Sequence, residues 1–237
     1  MANYNTASAS TALPAAADAQ RVTAFLRKVY GWMCAGLGVT AFVAFSVVGS
    51  PAIVRAIASN QLLFFGLFAA ELGLVFYLSA RAPKLAPGAA AGLFVLYSAL
   101  NGVTLSLVLL MYTGASVATT FVVTAGMFGA LALFGSTTTR SLAGAGHFFF
   151  MGLVGLVLAS VVGMFWHSEA LQFLISIIGV IVFTGLTAWD AQRLKQMAMA
   201  LPEGQSGSYA VVGALSLYLN FINLFLILLR FSGGRRS

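Results

Sequence analysis

Seven apolar runs, each close to the length of a membrane-spanning helix, constrain this chain more than any other feature. They cover approximately residues 29–48, 62–80, 88–112, 117–134, 148–166, 171–189 and 209–231. A helix needs about 20 apolar residues to cross about 30 Å of hydrocarbon, and none of the runs alternates as a barrel strand does. With 60% of the 237 residues hydrophobic and only 7% charged, no soluble fold could bury this much apolar surface. The sequence therefore predicts an all-α membrane protein whose residues 21–237 form a single seven-transmembrane helix bundle.

The first 20 residues differ from the rest of the chain. They are rich in Ala, Ser and Thr, contain Pro14 and show no apolar period. We expect residues 1–20 to form a disordered cytoplasmic tail. No cleavable signal peptide precedes the first apolar run, so that run is expected to act as an uncleaved signal anchor.

The basic residues indicate how the chain sits in the membrane. They lie in short connections and near the ends of the chain. This distribution is typical of residues that set the membrane topology and contact lipid headgroups. It differs from the basic runs with interleaved aromatic residues that bind nucleic acid, so we do not expect nucleic-acid binding. A cytoplasmic N-terminus leaves Arg55 as the one basic residue in the outer loops and places eight inside: Arg21, Arg27, Lys28, Arg81, Lys84, Arg140, Arg193 and Lys195. Seven spans would put Arg235 and Arg236 outside, against this bias. Six spans with one re-entrant helix would remove the conflict, and the sequence leaves both arrangements open.

Two acidic residues lie within the apolar runs, where an unpaired charge costs about 3 kcal/mol or more. Glu71 is in the second run, and Asp190 is at the end of the sixth, three residues before Arg193. The other acids, Asp18, Glu169 and Glu203, lie in the tail and loops, where water solvates them. An ionisable group at such depth predicts a functional site, and we interpret Asp190 as a functional residue. For Glu71 the functional and structural interpretations remain equally open.

Uncharged polar residues share faces with these acids. In the seventh run Ser216, Asn220, Asn223 and Arg230 are spaced by four, three and seven residues, so they lie on one helical face. The third run contributes Asn101 and Thr104, and the sixth contributes Thr187. Such a stripe is expected to face the bundle interior, either as a polar path or as hydrogen bonds that join helices.

Other chemistries fit poorly. His147 and His167 lie at opposite ends of the fifth run and so cannot share a metal ion. Cys34 is the single cysteine and can form no internal disulfide. No serine has a base at its depth, and no phosphate-binding loop is present. We therefore expect neither enzymatic activity nor a bound metal or cofactor.

Two long motifs carry a resemblance to a known family. They are FTGLTAWDAQRLK at 183–195 and GALSLYLNFINLFLILLR at 213–230, supported by VYGWM at 29–33, LYSALNGVTL at 96–105 and TTFVVTAGMFG at 119–129. In these residues the chain resembles the Bax inhibitor-1 family, in its bacterial inner-membrane branch. The resemblance implies a bundle with the last helix surrounded by the other six, and a pH-sensitive, passive calcium leak.

The same resemblance implies the parts of a gate. An acid in the sixth span and a second acid in the seventh would share a proton and latch the cytoplasmic side, with an arginine near the end of the second span. Asp190 matches the first acid, Arg81 is the nearest candidate for the arginine, and Glu71 falls where some members carry an acid. The second acid is replaced by Asn220. We therefore expect a pH response centred below that of a carboxylate pair, and weaker grounds for calcium as the conducted ion.

The resemblance also leaves a different class of function open. Some bacterial relatives resemble a modulator of a membrane-bound ATP-dependent protease. In that case the chain would be a non-conducting interaction protein, and the N-terminal tail would bind the partner.

Overall fold

The computed structural model describes residues 6–81, 84–166, 168–202 and 206–234. Within these ranges the chain forms eight α-helices and no strand, and His167, Glu203, Arg235 and Arg236 lie outside the described residues. The helices are α1 Thr6–Val48, α2 Pro51–Ser59, α3 Gln61–Arg81, α4 Pro87–Leu109, α5 Gly114–Thr137, α6 Ala143–Phe165, α7 Glu169–Ala200 and α8 Ser206–Ser232. The seven apolar runs fall on α1 and on α3 to α8. These seven helices are long and apolar enough to cross a membrane, which confirms the predicted fold class.

Several helix bounds differ from the sequence expectations. Residues 6–20, expected to be disordered, continue α1, and their many alanines are strong helix formers. The residues after Arg193, expected to be a connection, extend α7 to Ala200 because Leu194 and Ala198 are buried. Arg55, expected in a loop, lies on the short helix α2.

Helix α8 is the centre of the bundle. In its most apolar stretch 61% of the residues are buried, compared with 39% in α7 and 11% in α3 and α6. It packs against α1, α4, α5 and α7, with a smaller contact to α3. The central last helix that the family resemblance implies is therefore present.

Two glycines let helices approach closely where polar groups meet. A Cβ on Gly102 of α4 would lie 2.7 Å from the carbonyl oxygen of Thr40 on α1, and a Cβ on Gly135 of α5 would collide with the backbone of Ala188 on α7. Small residues at such crossings bring backbones into direct contact. Larger residues at these two positions would separate α4 from α1 at Thr40 and α5 from α7 at Ala188, two residues before Asp190.

Contacts between helix ends define two faces of the bundle. On the first face Lys195 Nζ near the end of α7 donates to the Ser136 carbonyl in the last turn of α5, at 2.8 Å, and Lys28 Nζ donates to Ser206 Oγ at the start of α8, at 3.3 Å. On the second face the Thr113 amide, between α4 and α5, donates to the Gly234 carbonyl beyond α8, at 3.1 Å. Helix α8 thus runs from one face to the other, which favours seven spans over six and a re-entrant helix.

Candidate functional site

The central feature of the candidate site is a hydrogen bond between the carboxylate of Asp190 on α7 and the amide of Asn220 on α8. Asn220 Nδ2 donates to Asp190 Oδ2 at 2.8 Å, and both residues are only 6% exposed. A carboxylate is too polar to face lipid and accepts hydrogen bonds only, so within the membrane it is stabilised by a donor on a neighbouring helix. The bond therefore joins the two most buried helices of the bundle at one point.

Arg193 provides the positive charge at this site. Its Nη2 lies 3.5 Å from Asp190 Oδ1, and the guanidinium lies over the Trp189 ring at 5.1 Å from the centroid. The Arg193 side chain is 42% exposed and that of Asp190 is 9% exposed. Asp190 consequently lies at the boundary between the bundle interior and the first face. Its Oδ2 accepts from Asn220 in the interior, and its Oδ1 faces the partly exposed Arg193.

The helix that carries Asp190 is fixed from a second direction by the α5–α6 connection. Gln192 Nε2 donates to the Arg140 carbonyl at 2.8 Å, and its Oε1 accepts from the Leu142 amide at 2.7 Å. Together with Lys195 these bonds attach α7 to the ends of α5 and α6. The sequence pattern predicts Arg193 as a gate residue together with Asp190 and Lys195 as an inner basic residue, but it gives no sign of Gln192.

A second polar network surrounds Glu71 on α3, which is 6% exposed. Thr104 Oγ1 and Asn101 Nδ2 of α4 both donate to its carboxylate, the latter at 3.4 Å. Asn101 Oδ1 accepts from the Tyr218 hydroxyl of α8 at 3.0 Å. The two acids predicted to matter therefore lie in separate networks, and both networks reach α8.

The Glu71 network continues to α1 through residues that the sequence analysis missed. Tyr218 is fully buried, and its hydroxyl lies 2.6 Å from Thr40 Oγ1, which in turn donates to the Ser98 carbonyl at 2.8 Å. Edge-on contacts with Phe94 and Tyr97, each with centroids 5.7 Å apart, hold the Tyr218 ring. Tyr218 stands two residues before Asn220 in the motif, which places it on the opposite side of α8.

Other predicted residues do not join either network. Thr187, Ser216 and Asn223 bond to carbonyls of their own helices, at 2.7, 3.4 and 2.8 Å. Arg81 is exposed at the end of α3, and within the described part of the chain its guanidinium is not ion-paired with Asp190. Among the described members of the stripe on α8, Asn220 bonds to Asp190 and Arg230 bonds to Gln172 near the start of α7, so two of the four reach α7.

Comparisons with known proteins match this arrangement. The model of the family described as inhibitor of apoptosis-promoting Bax1 matches residues 22–237. The chain belongs to the Bax inhibitor-1 family. It is 51% identical to the inner membrane protein YbhL of Escherichia coli over 215 residues, which cover 90% of this chain and 92% of YbhL. It is also 45% identical to a protein of Borreliella burgdorferi (90% and 93% covered) and 42% identical to one of Caulobacter vibrioides (95% and 96% covered).

Family membership and the seven apolar helices together identify a multi-pass protein of the inner membrane. In this member the position expected to hold a second acid carries Asn220, and the structure shows what the amide does there. It donates a hydrogen bond to the one remaining carboxylate instead of sharing a proton with it. The α7–α8 contact is kept while one negative charge is absent.

Proposed function

We propose that this Bax inhibitor-1 family protein is a passive, pH-sensitive cation leak, with calcium as the conducted ion and Asp190 as the acid of the gate. The observation that supports the proposal is the buried bond from Asp190 to Asn220 on the central helix. A carboxylate that joins two core helices and also faces a cation can change the contact between those helices when it gains a proton. The leak requires no chemical step and no bound cofactor.

The ionised carboxylate stabilises the closed arrangement. It accepts from Asn220 on α8 and is paired with Arg193, and hydrogen bonds to charged groups contribute about 1.5–3 kcal/mol. A proton removes the attraction to Arg193 and weakens the bond from Asn220. The α7–α8 contact then loosens, so the leak increases as the pH falls. Among the described residues, Arg193 is the charged side chain in contact with Asp190.

The Glu71 network supplies oxygen atoms for a cation deeper in the bundle. Carboxylate and hydroxyl oxygens are ligands that calcium prefers, and Glu71 and Thr104 bring them together, while Asn101 presents its amide nitrogen to Glu71 and its oxygen to Tyr218. A single carboxylate binds a divalent ion weakly, so the ion can be released again, as conduction requires. We propose this network as part of the ion path.

The orientation follows from the positions of the basic residues. The alternation of the seven spans places all eight of the predicted inner basic residues on the first face, and Arg55 on the second. We propose that the first face is cytoplasmic, with the N-terminus inside. The Asp190 gate then lies toward the cytoplasm.

The experiment is calcium flux into liposomes that hold the purified chain, from pH 5 to 8. The variants are Asp190→Asn and Asn220→Asp, with Glu169→Gln as control because Glu169 is an exposed acid at the other end of the same helix. We expect the native chain to leak more at low pH and Asp190→Asn to leak at a high, pH-independent rate. Asn220→Asp should move the response toward neutrality, since two adjacent carboxylates cannot both ionise. The control should behave as the native chain.

Flux no greater than in empty liposomes, for all four proteins, would disprove the channel. A native leak whose pH response survives in Asp190→Asn would disprove Asp190 as the gate acid. These two results separate the activity from its proposed control.

The alternative is a non-conducting modulator of a membrane-bound ATP-dependent protease. The continuation of α1 back to Thr6 is the observation that favours it, because α1 begins 12 residues before the candidate span Asp18–Val48. Deletion of residues 1–17 tests it. The truncated chain should keep the native flux if the channel proposal is correct, and it should lose co-purification with the protease if the alternative is correct.

A further inference from the structure

A small cavity on the first face carries positive charge and lies where α1 enters the bundle. Its volume is about 220 Å³, and it is enclosed by α1, the end of α7 and the start of α8. Its lining residues are Arg21, Ala24, Phe25, Lys28, Ala198, Leu201, Pro202 and Ser206. None of these lining residues takes part in the contacts among Asp190, Arg193 and Asn220.

Two cations lie on one face of α1 at this cavity. Arg21 and Lys28 are seven residues apart, which is two helical turns, and the buried Phe25 lies between them. Arg21 Nη2 donates to the Leu201 carbonyl at 3.1 Å, and Lys28 Nζ donates to Ser206 Oγ at 3.3 Å. Both side chains thus cross from α1 to the α7–α8 hairpin.

These two contacts use only part of each cation. A guanidinium has five N–H donors and an ammonium has three, whereas each cation makes one of these hydrogen bonds to the residues that the structure describes. The start of α8 adds the partial positive charge of a helix N-terminus beside Ser206. The chemistry of the cavity therefore suits a phosphate group.

We propose that this cavity binds the phosphate of an anionic phospholipid. The site lies at the end of the first span, at the depth of the lipid headgroups, and its walls combine cations with the apolar side chains of Phe25 and Leu201. Anionic headgroups bind basic pockets between helices on the cytoplasmic side of membranes. A bound lipid would bridge α1 to the hairpin that carries Asp190 and Asn220.

The test is lipid binding to the full chain in detergent, measured by native mass spectrometry and by the melting temperature. The probes are phosphatidylglycerol, cardiolipin, phosphatidylcholine and free pyrophosphate. The variants are Arg21→Gln and Arg21→Gln/Lys28→Gln, and the matched control for the single variant is Arg27→Gln, which also removes one charge from the same helix but outside the cavity. A cation that contacts the lipid phosphate contributes about a fivefold change in affinity, so the double variant should bind the anionic lipids roughly thirtyfold more weakly. The control should lose much less affinity than either variant, because Arg27 does not line this cavity.

Three results would overturn the proposal. Equal binding of phosphatidylcholine and the anionic lipids by the native chain would do so, and this measurement needs no variant to fold. Equal anionic lipid binding by the double variant and by Arg27→Gln would exclude the cavity as the site. Stabilisation by pyrophosphate equal to that by the lipids would assign the site to a soluble phosphate instead.

Discussion

The two buried acids of this protein are embedded in very different surroundings. Asp190 lies on α7, one of the most buried helices, and its partners are an amide of the central helix and a half-exposed arginine. Glu71 lies on α3, one of the least buried spans, and its partners are a hydroxyl and an amide without charge. A proton on Asp190 removes an attraction between charges, whereas a proton on Glu71 only rearranges hydrogen bonds. In the proposed leak, this difference favours Asp190 as the acid of the gate and Glu71 as the residue in contact with the ion.

The largest effect is expected from Asn220→Leu. The substitution leaves Asp190 buried without its cross-helix donor, at a cost of about 2–3 kcal/mol. The melting temperature should fall by several degrees, and the leak should rise at all pH values. Asn220→Gln, which keeps the amide on a longer side chain, serves as control and should retain part of the pH response. A native melting temperature and flux in Asn220→Leu would show that the bond does not hold α7 to α8.

A smaller effect is expected from Tyr218→Phe in the second network. The ring contacts remain, but the hydroxyl that reaches Asn101 and lies beside Thr40 is removed, at a cost of about 1 kcal/mol. The midpoint of the pH response should not move, because Asp190 is untouched. Flux measurements from pH 5 to 8 check this. A shifted midpoint would mean that the two networks titrate as one.

Glu71→Gln should distinguish ion contact from control. The amide has nearly the same shape and can still accept from Thr104, so a stability change below about 1 kcal/mol is expected. Calcium flux should fall because one ligand charge is lost, while the pH midpoint stays that of the native chain. Flux equal to the native value would place Glu71 outside the ion path.

The smallest effect is expected from Arg193→Gln. The side chain is 42% exposed, and ion pairs in contact with water contribute about 0.5 kcal/mol and are screened by salt. The pH response should shift modestly at low ionic strength, and the native and variant responses should converge at high salt. A large shift that persists in high salt would indicate that the pair is effectively buried.

Much of the fold was predictable, because the bilayer requires long apolar helices and those are visible in sequence. The end of α7 was not, since Arg193 and Lys195 look like the start of a loop until Leu194 and Ala198 are seen to pack. The bond of Asp190 to Asn220 was anticipated from the two motifs. Tyr218 could not be predicted, because a tyrosine in an apolar run resembles any other aromatic residue. Only the structure shows that its hydroxyl contacts Thr40 and Asn101.

Arg81 shows a second reason why contacts of the candidate site could not be predicted from the sequence. The family pattern fixed its approximate position along α3 but not its direction, and the structure leaves its side chain exposed at the helix end. Thr187, Ser216 and Asn223 share a face with the gate residues, yet short polar side chains in a helix readily bond to their own backbone. Spacing alone cannot distinguish these two outcomes.

The central position of α8 has a consequence for how the protein is made. Because α8 follows the other six spans along the chain, those spans enter the bilayer before the element around which they pack. Until α8 inserts, Asp190 lacks its bond to Asn220 and Asn101 lacks its bond to Tyr218, while Glu71 already has its donors on α4. Insertion of α8 is therefore the step that joins the two networks to a common core.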